Sequence, residues 1–250
     1  MGHHYRLLAD TKQHYREIFQ RAKSSLEAHL SAIRQEYACP TCDLKSADEE
    51  GDGAIAPWLG KLHPGCGYRP WQERALAVIE QEAGRDILLK LQQIEAYKNT
   101  FNCHMCGMCC RMASSEHSYE ELRARAEAGD EFARQFTGIF LPYESREAAR
   151  RKAPDVVSAV LAEAGEETGD AERVYFYHCP YIGEDNRCSI YGTEKRPAIC
   201  ASYPETPLSF VYEKCAWRPW KDETHTDTLA AHAMLALCTH WAETLHEALV

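Results

Sequence analysis

A chain of 250 residues with 45% apolar content is long enough to bury a proper core, so its stability does not depend on covalent staples. A net charge of −10 with no Lys/Arg-rich block repels phosphate backbones and anionic lipid, which argues against nucleic acid or a membrane surface as partner. No apolar run approaches a membrane span, and MGHHYRLLADTKQHYREIFQ at the N-terminus lacks an apolar h-region; a cytoplasmic location is therefore expected, where 12 cysteines point to metal rather than disulfides.

From Leu8, the series Tyr15, Phe19, Ala22, Leu26, Leu30, Ile33, Tyr37 advances by threes and fours after one longer gap, as one stripe of a long helix does. A second such pattern runs from Trp71 to Tyr97, with Ile87, Leu91 and Ile94 on one side and Gly84 weakening its middle. Between them Cys39 to Pro70 is turn-rich and contains the acidic loop SADEEGDG. Residues 1–100 therefore read as a helical hairpin with a loop-built clasp at its tip.

The clasp holds CPTC (Cys39, Cys42) and HPGC (His63, Cys66). Written as C-x2-C-x20-H-x2-C, the pattern has the form of a tetrahedral Cys3His zinc site in which each pair makes a knuckle. The polar loop between the pairs could not hold itself together through a core, so a metal cross-link makes physical sense. A redox dithiol is the competing reading, but thioredoxin-like pairs follow a strand and open a helix, whereas this one follows a helix and opens a loop.

FNCHMCGMCCR, residues 101–111, crowds Cys103, Cys106, Cys109 and Cys110 into one turn-sized stretch. The C-x2-C-x2-C spacing lets a tight backbone turn aim successive sulfurs at one site, and Gly107 supplies the dihedral freedom for it. Cys110 is the odd member: adjacent residues rarely aim both side chains at one metal, so Cys109 and Cys110 are expected to serve different centres or different roles. SYEE at 118–121 is a capping box opening a helical stretch toward Phe136, and Pro154-Asp155 restarts a helix ending near Gly165. The acidic linker GEETGDAE follows, and then RVYFYHCPYI (173–182), the best strand candidate.

Cys179 to Pro219 is loop-rich and supplies a second group of thiols, Cys179, Cys188, Cys200 and Cys215. Two groups of four could complete two four-thiolate sites, or one site plus reactive thiols. Arg111, Arg187, Lys195 and Arg196 lie close in sequence, and cations there lower thiol pKa values and offset thiolate charge. His104 and His178 each adjoin a cluster cysteine, as ligand, supporting donor or bystander. The closing helix is expected from about Thr226, with Met234, Cys238, Trp241, Leu245 and Leu249 on one stripe; Cys238 on it reads as a small core residue. The histidines at 225, 232, 240 and 246 have no tight pairing in sequence and read as surface residues.

CHMCGMCC followed by CPYIGEDNRCSIYGTEKRPAICASYP resembles the YkgJ-type cysteine-cluster family, a zinc- or iron-chelating domain. The match rests on Cys103, Cys106, Gly107, Cys109 and Cys110, then on Cys179-Pro180, Cys188 with Ile190-Tyr191, Arg196-Pro197, Cys200 and Tyr203-Pro204. It covers residues 101–215; the insertion between its halves is long, and the N-terminal hundred residues lie outside the pattern. The resemblance implies metal binding, with iron–sulfur often proposed, and flagellin lysine methylases carry a similar cluster, which adds protein modification by analogy.

Soft thiolates select zinc or iron–sulfur centres over hard cations. Cys103-x2-Cys106-x2-Cys109 overlaps the bacterial ferredoxin run, which favours a 4Fe–4S centre over zinc. A radical-SAM run would need a third cysteine where Ala113 stands. No dinucleotide, P-loop, zincin or hydrolase motif occurs, so no catalytic residue is named and whether the chain is an enzyme stays open.

The expected fold is mainly α with irregular cysteine-rich loops and little β, stabilised by metal. Residues 1–100 form the hairpin, 101–220 the cysteine-cluster domain, and 221–250 a C-terminal helix packing on it. The expected function is redox chemistry or protein or peptide modification at an iron–sulfur centre on the 103–215 cysteines, with zinc at the clasp and an unidentified protein or small molecule as partner. The alternative is a zinc-stabilised interaction module or a protein that chelates or delivers metal.

Overall fold

The computed structural model describes residues 2–41, 55, 58–167 and 173–250, with 2–12 and 165–167 given by backbone alone. It is mainly helical with one small sheet, and divides into two compact units: Met1–Asn99 with Glu223–Val250, and Thr100–Asp222. No described helix is long and apolar enough to cross a membrane.

In the first unit α1 (Gly2–Arg34) carries the long stripe, and its Leu26 and Leu30 are buried. The second predicted helix is continuous in direction but changes pitch: α2 (Arg69–Ala77) passes through a π-helical turn, Val78–Ala83, into α3 (Gly84–Lys98). Gly84 closes the wide turn by donating its N–H to the carbonyl of Ile79, five residues back. The glycine therefore marks a change of winding rather than a weak point. Trp71 donates its indole N–H to the Leu30 carbonyl at 2.9 Å, which pins α2 to α1. Buried Gln72 donates to the carbonyls of Trp58 (3.1 Å) and Gly60 (2.8 Å), tying the clasp segment to α2.

The closing helix, α10 (Arg218–Leu249), starts at Arg218 rather than near Thr226. Pro219 sits in its first turn, where a missing N–H costs nothing, so the proline opens the helix instead of marking the preceding loop. Its stripe, Met234, Cys238, Trp241 and Leu245, is buried in one core with Leu26, Leu30 and Trp71. Tyr97 donates to Glu223 at 2.9 Å, and Lys90 pairs with Asp227 at 2.5 Å. The expected 221–250 packing on the cysteine domain thus gives way to membership of the first unit from Glu223 on, because the stripe is matched by apolar side chains of α1 and α2. Cys238 is a core residue as read. His246, read as unpaired, meets Glu80 at 2.8 Å across this helix packing.

The second unit is organised by a three-stranded antiparallel sheet in the order β1 (Ala113–Ser115), β3 (Tyr175–His178), β2 (Leu141–Pro142). Central β3 pairs Tyr177 with Ala113 on one side and His178 with Leu141 on the other. Strand alternation sends Val174 and Phe176 into one core with Met112 and Val157, and Tyr177 and Cys179 into another with Phe136 and Ile190. The predicted capping box forms, with Ser118 Oγ accepting from Glu121 N and the Glu121 carboxylate accepting from Ser118 N. The helix it opens, α5 (Tyr119–Glu127), stops before Phe136: Gly129 adopts φ +97°, and Asp130 caps a separate α6 (Glu131–Thr137). After α7 (Arg146–Lys152), α8 runs Pro154–Glu167; residues 168–172 of the acidic linker lie outside the described residues.

Candidate metal centres

The clasp brings the ligand atoms of Cys39, His63 and Cys66 within 4.8 Å of one another. Cys39 and Cys66 are buried and His63 is exposed. Cys39 Sγ lies 3.2 Å from His63 Nε2. His63 Nδ1 is 3.0 Å from the Pro64 carbonyl, which can only accept, so Nδ1 carries a proton. Nε2 faces Cys39 Sγ and lies 3.1 Å from the Thr41 hydroxyl, and the Pro64 carbonyl and then the Cys39 sulfur raise the imidazole above its usual pKa. Two hydrogen-bond donors, first the Thr41 hydroxyl and then the Gly67 amide, bring the Cys39 thiol down to about 5. The Gly67 amide can come so close only because the residue has no side chain: a Cβ there would lie 2.0 Å from the Ala38 carbonyl oxygen. Two thiols and an oriented imidazole, already supplied with N–H donors, suit zinc. Cys42, the expected fourth ligand, lies outside the described residues, as does the SADEEGDG loop.

In the second unit all eight remaining cluster cysteines line one cavity of about 340 Å³. Cys103, Cys106 and Cys109 reach it from the turn ahead of α4 and from α4 itself (Met108–Arg111). Gly107 takes φ +74° at the helix start, and a Cβ on it would lie 2.9 Å from that of Asn186. Met105, also at positive φ, donates its N–H to Cys103 Sγ at 3.3 Å. Arg111 fastens the far side of the turn, donating to Asn186 Oδ1 at 2.9 Å and to the Gly183 carbonyl at 2.6 Å.

Cys109 and Cys110 are consecutive on α4, and their sulfurs stand 4.0 Å apart. The hydrogen bond from Cys109 and then the Arg196 and Arg111 guanidiniums bring Cys110 down to about 7 against its burial, while Cys109 is held up as the donor of the pair. Burial raises Cys179 and Cys215 and pushes Cys200 up to about 11, with the neighbouring Cys110 and Cys179 adding to the last. Of the four cations singled out in the sequence, Arg111 and Arg196 act on Cys110, whereas Arg187 and Lys195 are exposed. Arg196 also stacks over the Tyr191 ring at 4.3 Å and donates to the Cys200 carbonyl. His104 is exposed, His178 packs against Tyr143 with ring centroids 5.1 Å apart, and neither is among the cavity-lining residues.

Two wall residues were not singled out by sequence. Tyr203 donates its hydroxyl to the Phe210 carbonyl, and burial, with Cys109 and Cys215 close by, raises it far above the usual phenol range. Its place in the Tyr203-Pro204 pair was the only signal. Trp217 contributes a buried indole N–H with no hydrogen-bond partner. Eight soft donors around one cavity, with an orphaned N–H in its wall, fit a thiolate-bound metal centre.

Residues 102–228 match the model of the CxxCxxCC family, whose description reads "Putative zinc- or iron-chelating domain". The chain matches no curated protein. No solved structure matches it either.

Proposed function

This chain belongs to the CxxCxxCC family of zinc- or iron-chelating domains, and we propose that its cavity thiols hold an iron–sulfur centre used in redox chemistry or in modifying a protein or peptide. One observation carries the choice of iron–sulfur. A single zinc draws its thiolates to within about 3.8 Å of each other, given a Zn–S bond of about 2.3 Å and tetrahedral angles. Among the described residues only the clasp gathers three Cys, His or carboxylate donors within 4.8 Å, although eight thiols surround the cavity. An iron–sulfur cluster interposes iron and sulfide between its ligands and so accommodates the wider spacing.

In this reading the chain's own residues do three things. Cys103, Cys106, Cys109, Cys110, Cys179, Cys188, Cys200 and Cys215 supply the thiolates. Arg111 and Arg196 offset their charge at Cys110, and the Met105 amide donates to Cys103 sulfur. Tyr203 and Trp217, with Phe136 and Phe210, keep the cavity wall largely apolar. The clasp, with Cys39, Cys42, His63 and Cys66, serves as a structural zinc site. A reducing, cytoplasmic setting keeps all these thiols competent as ligands.

Anaerobic purification with metal analysis, acid-labile sulfide and an absorption spectrum tests the reading. The expected result is brown protein with iron and labile sulfide alongside one zinc for the clasp. Colourless protein holding zinc alone overturns it in favour of a zinc-stabilised interaction module or a metal-delivery protein.

A further inference from the structure

The eight cavity cysteines fall into two sets by packing. Cys179 donates its backbone N–H to the Cys110 carbonyl at 2.7 Å, which hooks the end of β3 onto α4. The chain then folds back on itself: Ile182 and Cys188 form an antiparallel bridge, and Ser189 N donates to the Tyr181 carbonyl at 2.9 Å. Cys188 thereby returns beside Cys179. Cys200 follows on α9 (Ala198–Ser202), its carbonyl held by Arg196. All four pack into the core built on Phe136, Phe140 and Ile190.

Cys103, Cys106, Cys109 and Cys215 lie outside that core. Cys215 sits in a turn of its own, with its N–H bonded to Tyr212 O at 2.9 Å and its carbonyl accepting from Arg218 N at 3.0 Å. The thiols whose charges bear on it are Cys106 and Cys103, and the same two bear on Cys109 after its immediate neighbour Cys110. The charges bearing on Cys200 come instead from Cys110, Cys179, Arg196 and Cys188. Apart from the adjacent Cys109–Cys110 pair, proximity and packing divide the eight the same way. Successive residues on a helix point about 100° apart, so Cys109 and Cys110 face different sides of α4 and the division passes between them.

We propose that this unit holds two separate four-thiolate centres. The inner one takes Cys110, Cys179, Cys188 and Cys200, the outer one Cys103, Cys106, Cys109 and Cys215, and the two are in sulfur contact where Cys109 meets Cys110 at 4.0 Å. The inference rests on the metal-binding reading above and adds number and ligand assignment to it. Met105 is exposed beside the outer set, whereas the inner set packs against aromatic and aliphatic side chains.

Native mass spectrometry of the anaerobically purified full chain counts the centres, with His63→Ala/Cys66→Ala run in parallel to subtract the clasp ion. Two centres in the wild type are expected. Cys103→Ser/Cys215→Ser and Cys188→Ser/Cys200→Ser should each lose about half of the cavity metal, and their absorption or paramagnetic-resonance difference spectra should sum to that of the wild type. A wild-type mass with one centre overturns the inference and leaves the metal-binding reading standing. So does complete loss of cavity metal from both double variants when far-ultraviolet dichroism and the clasp zinc are retained. A wild type with no cavity metal sinks both. The wild-type count decides the matter even if a variant fails to fold.

Discussion

The clasp and the cavity both gather thiols, but they prepare them in opposite ways. In the clasp, the Thr41 hydroxyl and the Gly67 amide bring Cys39 down to about 5, and His63 Nε2 already faces its sulfur at 3.2 Å. In the cavity, burial raises Cys179, Cys200 and Cys215, while Cys110 is drawn down to about 7. A preformed small site suits one compact cation. Thiols raised by burial need the positive charge of a metal to drive their protons off, so loading the cavity is coupled to proton release. The lesson is that cysteine density alone does not define a kind of site; the hydrogen-bond donors around the sulfur do.

Glycine substitutions break the comparison from either side. The largest effect is expected from Gly67→Ala, whose new Cβ would sit 2.0 Å from a backbone oxygen with nowhere to go. Displacing the Gly67 amide from Cys39 should weaken zinc at the clasp by about 100-fold, read by chelator competition, while cavity metal stays unchanged. Gly107→Ala should act on the other side. It forces an alanine to φ +74° and against Asn186, which spreads the turn carrying Cys106 and Cys109. Cavity metal should weaken by about 10-fold with the clasp zinc retained. Loss of both metals in either variant would show that the two sites are not independent.

Cys238→Ser sharpens the contrast by testing a thiol that belongs to neither site. It is buried on the apolar stripe of α10, so a hydroxyl there loses burial energy and hydrogen bonds. The expected cost is about 1–3 kcal/mol in denaturant unfolding, with both metal contents unchanged. A fall in metal content would place this residue among the ligands instead.

Local signals were legible in the sequence. The α1 stripe, the Ser118–Glu121 box, the spacing that brings Cys39, His63 and Cys66 together and the core role of Cys238 all depend on residues whose periodicity or spacing is visible along the chain. What the sequence hid depends on packing between distant segments. Met234 and Trp241 are equally apolar whichever core they enter, so nothing in the stripe announces that Leu26 and Trp71 are its partners. The start of α10 is hidden because Pro219 follows a proline-rich loop and resembles it in sequence, although a helix tolerates proline in its first turn. The partners of Cys110 were hidden too: its nearest neighbour in sequence is Cys109, yet it packs with Cys179, Cys188 and Cys200. Tyr203 and Trp217 gave no periodic signal because they stand in irregular chain.

The short strand β3 has a consequence out of proportion to its length. It is hydrogen-bonded on both edges, to β1 and to β2, and it ends one residue before Cys179. Side chains alternate across a pleat, so sliding β3 by a single position would turn Cys179 toward the opposite core and offer His178 or Pro180 in its place. Holding the strand along two borders at once guards against that slip, and this minimal sheet acts as a gauge block that fixes where one sulfur stands.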